Sequence, residues 1–139
     1  MKDRKNYKVF VICSDGELYE GSTWEAILFA QQKKLKNLIL IIDRNNQIVM
    51  DKTEDCIKLD PLEKKFLSFG FNAQTIDGHD FKQIDKAIKI AKTGKYKKPQ
   101  VIIANTIKGK GVAFMEKEVK WHHSVPNQNE FIKALKILK

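Results

Sequence analysis

The chain has 139 residues, and 26 Lys and Arg against 17 Asp and Glu give a formal net charge of +9. That length fits about one domain with one core, here 1–139. Its longest apolar runs fall far short of the roughly 18 residues that cross a bilayer, and the charged start Met1-Lys2-Asp3-Arg4 with a short apolar run after it does not read as a signal peptide.

Cys13 and Cys56 lack metal-type spacing, so the expectation is a soluble cytoplasmic protein with reduced thiols. The positive charge does not argue for nucleic acid. Only Arg4 and Arg44 are arginines, and arginine makes the bidentate contacts to bases and phosphates. Lysines scattered beside Glu and Asp read as solvated faces. No nucleic-acid or membrane partner is expected; attraction of anionic phosphorylated metabolites is the compatible, weaker consequence.

In chain order, Val9-Phe10-Val11-Ile12 reads as a buried parallel strand. Ser22-Thr23-Trp24-Glu25 has the form of a capping box, with Ser22 at the N-cap of a helix running to about Leu35. Leu38 to Ile42 is a second buried strand, and the polar stretch from Asp43 to Asp60 is a long loop of the kind that carries function. Asp60-Pro61-Leu62-Glu63 starts a helix, with Asp60 at the N-cap, Pro61 at the first helical position and Glu63 at the third, and Gly70 ends it. Phe71 to Ile76 is a third strand. Asp80 and Gln83 cap a helix with Phe81, Ile84, Ala87, Ile88 and Ala91 on one face. Val101 to Ala104 is a fourth strand, a Gly-Lys loop follows, and Asn127 caps a last helix. Strand and helix alternate throughout, which predicts an α/β fold: a parallel sheet with helices on both faces.

In such sheets ligands bind beyond the carboxyl ends of the strands, where Asp15, Asn45, Asp77 and Asn105 fall. Asp15 offers an anionic oxygen and Asn45 a neutral one, a donor set for Mg²⁺ or Ca²⁺ rather than zinc. Gly16 allows close backbone approach to an anion, and the following helix start presents N–H groups to phosphate. His79 reads as structural, His123 as a loop histidine, Lys108 and Lys110 as a weak phosphate signal, the cysteines as small core residues, and Trp24 and Trp121 as packing groups.

Asp15-Gly16 followed, one helix and one strand later, by Asn45-Asn46 resembles the thiamine diphosphate-binding motif. The string from Asp15 to Ala26 is similar to the amino-terminal section of transketolase in its split, two-gene form. Asp43-Arg44-Asn45-Asn46, Asp77-Gly78-His79-Asp80, Thr106 to Gly111, and Trp121-His122 follow in family order. The resemblance implies a thiamine diphosphate-binding fold that holds the diphosphate end of the cofactor through Mg²⁺. It implies Asp15, the Asn45 side chain and the Gln47 carbonyl as metal ligands, and Gly16 and Glu17 among the cofactor-binding residues. It puts His122 near the diphosphate and the sugar, and Glu20 and Glu25 at a subunit contact that communicates with the partner active site, a catalytic set of His122, Glu20 and Glu25.

The implied reaction moves a two-carbon ketol unit between sugar phosphates. The implied partners are a preceding segment of the binding domain and a pyrimidine-binding-domain subunit, in an oligomer, so that the chain is inactive alone. The alternative is a catalytically inactive remnant serving as an interaction and assembly module. Two departures bear on that choice. Ser14 and His123 stand where the family has glycine, and a positive φ at Ser14 would strain the turn before Asp15.

Overall fold

The structure, a computed structural model, describes residues 6–139, so Arg4 and the charged start lie outside the described residues. Four strands, β1 (Val9–Ser14), β2 (Leu38–Arg44), β3 (Asn72–Asp77) and β4 (Gln100–Asn105), form a parallel sheet in the order β1-β2-β4-β3. Among the described residues the helices are α1 (Gly21–Gln32), α2 (Thr53–Cys56), α3 (Leu62–Ser68), α4 (Phe81–Lys92) and α5 (Gln128–Ile137). None is long and apolar enough to cross a membrane.

The α/β fold expected from the alternation of elements is the one that forms. Successive residues of a strand point to opposite faces, and the apolar runs of β2 and β4 serve both. Leu40, Ile42, Val101 and Ile103 pack under Ile27 and Ala30 of α1 and Leu62 and Phe66 of α3. Ile39 and Ile102 pack on the other face against Ala87 and Ala91 of α4. Trp24 packs its ring on Phe66 and Phe69, with centroids 5.7 and 5.2 Å away, and its indole N–H donates to the Leu18 carbonyl at 2.8 Å.

Several local expectations change. Ser22 is not an N-cap: a 3-10 turn at Gly16–Tyr19 runs directly into α1, which is helical from Gly21. Pro61 is not the first helical residue either, because α3 starts at Leu62 and the Asp60 carboxylate is drawn onto Arg44 at 3.3 Å. The caps at Asp80 and Asn127 form as expected, the latter as a full capping box with Glu130. Phe81 and Cys56 are exposed rather than packed.

The largest correction concerns β1, expected to be buried. Among the described residues it pairs with β2 alone, and both of its faces are open. The register sets Phe10 and Ile12 beside Ile39 and Ile41, on the α4 face of the sheet, but α4 packs over β2, β3 and β4. On the α1 face a groove of about 770 Å³ runs along Val11, Cys13, Ala26, Phe29 and Leu38.

Burial of this kind predicts two opposite mutational outcomes. Phe66→Ala, at a fully buried position, should cost about 3–5 kcal/mol. Ile12→Ser, at a position 72% exposed, should stay within about 0.5 kcal/mol. Denaturant melts of the isolated chain check both.

Candidate functional site

The sheet register brings the two sequence signals together. Ser14 lies beside Asp43, and Arg44 beside Asn105, so the carboxyl ends of β1, β2 and β4 are level. The Asp15 N–H donates to the Asp43 carbonyl at 3.1 Å and continues the ladder by one residue. The chain then turns at Asn46, which holds a left-handed φ of 62°, a conformation asparagine tolerates.

That turn aims the Asn46 N–H at Asp15 Oδ2, 2.7 Å away, and Arg44 Nη1 donates to the same oxygen at 3.0 Å. Asp15 is completely buried, yet among the described residues its Oδ1 has no hydrogen-bond partner. Burial raises its pKa above the 3.8 of an unperturbed aspartate; the Asn46 N–H and the Arg44 guanidinium offset that only in part.

Asn45 is held for acceptance. Its Oδ1 takes the Gln47 N–H at 3.0 Å, and its Nδ2 donates to Asp43 Oδ2 at 3.3 Å. The other Asp43 oxygen accepts the Thr106 hydroxyl, which fixes the amide orientation. Gln47 and Lys52 face each other as an isolated antiparallel bridge. The bonds that make it run from Ile48 N to the Asp51 carbonyl and from Thr53 N to the Asn46 carbonyl, leaving the Gln47 carbonyl outside the ladder. The buried Gln47 Oε1 also lacks a partner among the described residues.

Beside these oxygens lies a cleft of about 360 Å³ lined by Gly16, Glu17, Glu20, Gln47, Met50 and His122. A Cβ at Gly16 would meet Ile48 Cγ2 at 3.1 Å, so glycine keeps this wall open to backbone approach. His122 closes a 3-10 turn, Val119–His122. Partial burial and the nearby Lys108 and His123 charges push its pKa below the ordinary value, against the pull of Asp15. At neutral pH the ring is therefore a neutral donor and acceptor. Lys108, weighed lightly in the sequence, stands close enough to His122 to act on its charge.

Ser14 is not strained. Among the described residues the non-glycine positions with positive φ are Lys34, Asn46 and Lys117. Instead Ser14 and Glu17 bond reciprocally: Ser14 N donates to Glu17 Oε2 at 2.7 Å, and Glu17 N donates to Ser14 Oγ at 3.3 Å. The pair has the reciprocal form of a capping box, one residue ahead of the turn's N-cap Asp15, and the Ser-x-x-Glu spacing is its sequence signal. The Glu17 carboxylate, an expected cofactor contact, is thereby turned back on the strand end. Glu20 is exposed at the cleft; Glu25 lies outside it, along the open groove beside β1. His79 is structural, its Nε2 accepting the Ile107 N–H at 2.8 Å and so holding the Gly-Lys loop.

Among the described residues no three His, Cys, Asp or Glu side chains converge on a metal position. The candidate donors at these strand ends are one carboxylate, one amide and a loop carbonyl, all hard oxygens, and among the described residues the buried Asp15 Oδ1 is unpartnered. They fit Mg²⁺ or Ca²⁺, which take oxygen ligands and leave positions for a diphosphate.

Comparison with known proteins returns the family described as "Transketolase, thiamine diphosphate binding domain", matched over residues 2–138. An apulose-4-phosphate transketolase subunit of Actinobacillus succinogenes is 43% identical over 99% of this chain and 49% of its own length. The 6-deoxy-6-sulfo-D-fructose transketolase subunit SqwG of a Clostridium species is 40% identical over 83% of this chain and 42% of its own length. The crystal structure of Campylobacter jejuni transketolase superposes with a TM-score of 0.85 at 35% identity, over 94% of this chain and 20% of that one. The chain spans about half the length of the apulose-4-phosphate transketolase subunits it matches.

The buried Asp15 carboxylate sets a testable sign. A carboxyl with a raised folded pKa contributes fully below its unfolded value of 3.8, and that contribution is lost as pH rises through the raised value. Without divalent cations, Asp15→Asn should therefore melt at a higher temperature than the parent at pH 7. The gap should close as pH falls toward 3.8, as thermal scans across that range would measure.

Proposed function

This chain belongs to the transketolase family, to its thiamine diphosphate-binding domain, and we propose that it is the diphosphate-end portion, a single domain over 1–139, of a split transketolase. The observation that carries this reading is the buried, half-partnered Asp15 carboxylate beside Asn45 and Gln47 at the level ends of β1 and β2.

In this reading Asp15 Oδ1, Asn45 Oδ1 and the Gln47 carbonyl hold Mg²⁺, or Ca²⁺ in its place. Thiamine diphosphate, when bound, supplies the nucleophilic carbon that carries a two-carbon ketol unit between sugar phosphates. The residues of this chain bind and orient. Gly16 lets the diphosphate approach the backbone, and the N–H groups of the 3-10 turn and α1 face its charge. His122, neutral at physiological pH, donates to phosphate or sugar oxygen at the mouth of the cleft, with Lys108 beside it. Glu20 and Glu25, both exposed, meet a partner subunit.

The open β1 edge supports incompleteness of the chain alone. Val9, Phe10, Val11 and Ile12 are between 38% and 72% exposed, and among the described residues β1 has no neighbour on its outer side. A preceding segment of the binding domain covers that edge, and a pyrimidine-binding-domain subunit completes the cofactor site. The cleft and edge are thus two joints of one cytoplasmic enzyme that is inactive in pieces.

Reconstitution tests the reading. Combined with chains that supply the missing segment and the pyrimidine domain, this chain should bind thiamine diphosphate in a Mg²⁺-dependent way by titration calorimetry. The complex should transfer ketol units between sugar phosphates, and Asp15→Ala should abolish both. Absence of metal-dependent cofactor binding in the full assembly would sink the proposal.

The edge gives a second outcome. Ile12→Lys should leave the isolated chain folded but lower its affinity for the segment that covers β1 by at least about tenfold, some 1.4 kcal/mol. Analytical ultracentrifugation of the mixed chains would read it.

A further inference from the structure

Arg44 is buried at 3% exposure against Asp15, and it makes four side-chain bonds. Nη1 donates to Asp15 Oδ2 at 3.0 Å and to Thr53 Oγ1 at 2.6 Å. Nη2 donates to Glu54 Oε1 at 2.5 Å and to Asp60 Oδ2 at 3.3 Å. One planar fork thus joins the Asp-Gly turn after β1 to the far half of the loop whose near half carries Asn45 and Gln47. Tyr19 adds a second tie, its hydroxyl donating to the Thr53 carbonyl at 2.5 Å.

A cation beside a metal ligand is at first sight the wrong group, because like charges repel strongly in a low-dielectric site. The surroundings resolve this. Asp15, Glu54 and Asp60 share the single guanidinium, which leaves two net negative charges, the complement of a divalent ion. Arg44 also occupies only Oδ2 of Asp15, and Oδ1 stays unpartnered and buried. The residue type has its own meaning. In a chain whose positive charge is nearly all lysine, arginine stands where donors in a fixed planar fork are needed.

Resting on the reading of Asp15 as a metal ligand, we infer that Arg44 is a positioning residue for the metal site. It holds Asp15 by Oδ2 so that Oδ1 faces the cation. Through Thr53, Glu54 and Asp60 it keeps the Gln47 loop folded onto the strand ends before metal and cofactor arrive. Arg44 itself touches neither.

The test uses the assembled enzyme with saturating thiamine diphosphate and Mn²⁺ as the probe metal, its affinity read by electron paramagnetic resonance. Arg44→Lys keeps the charge and loses the fork; it should weaken Mn²⁺ binding by about 10–100-fold, the usual loss when a group orienting a metal ligand is removed. Arg44→Met should weaken it at least as much. Glu54→Gln and Asp60→Asn should each weaken it several-fold. Hydrogen exchange in the metal-free enzyme should quicken at the Asn46 and Thr53 amides in all four variants.

If Arg44 acted only as an opposing charge, Arg44→Met would bind Mn²⁺ more tightly, and equal or tighter binding in the two Arg44 variants overturns the inference. Should thermal melts show those variants unfolded, unchanged affinity and exchange in both Glu54→Gln and Asp60→Asn overturns it instead. Absence of Mn²⁺ binding in the unsubstituted enzyme overturns the site reading and this inference together. Normal binding there with unaltered binding in the variants overturns this inference alone.

Discussion

The ion pair between Asp15 and Arg44, 3.0 Å long and sealed from solvent on both sides, is the interaction on which the site end of this fold depends. Each partner alone would be costly to bury, and Arg44 keeps Glu54 and Asp60 whatever the state of Asp15. The pair is not balanced. Burial leaves Asp15 with a raised pKa while its carboxylate neighbours stabilise the Arg44 charge. The uncompensated half is therefore the Asp15 carboxylate, and specifically Oδ1. The chain carries that imbalance as a loss of stability, which in the proposed reading a divalent cation removes, so that metal binding and folding energy would be linked at one oxygen.

Much of this architecture was open to reading from the residues, for physical reasons that can be named. The runs Leu38–Ile42 and Val101–Ala104 are apolar at every position, and only a strand buried on both faces needs that. Asp15 and Asn45 each follow such a run, so the place where parallel strands end and ligands bind was visible before any coordinates. Arg44 was not read as a site residue, because a charge inside a polar loop looks like a solvated one. Its signal was rarity: arginine in a chain of lysines. Cap assignments failed where tertiary demands overrode local ones. Ser22 lost its cap role to a 3-10 turn that had already started the helix, and Asp60 was drawn to Arg44.

Ser14 shows how a departure from a family pattern can be absorbed locally. A serine replacing glycine is a threat only where the backbone needs positive φ, and here it does not. Its hydroxyl and N–H instead join Glu17 in a reciprocal cap, so the turn that presents Asp15 and Gly16 gains two bonds. The substitution weakens the case for an inactive remnant.

β1 carries the opposite lesson. Its sequence is as apolar as that of β2, which predicts burial; yet Ile12 is 72% exposed, and among the described residues the strand has no outer neighbour. Edge strands that face water are protected by charges, proline, bulges or shortness. Val9-Phe10-Val11-Ile12-Cys13-Ser14 has no charge, proline or glycine. The apolar run therefore misleads about burial within this chain: both core clusters are centred on β2 and β4, and β1 is held by its ladder to β2. In the proposed reading the run reports two covered faces and a paired edge in an assembled enzyme. Asp15 follows directly at the carboxyl end of β1, so in that reading whatever covers the strand also bears on the proposed metal site.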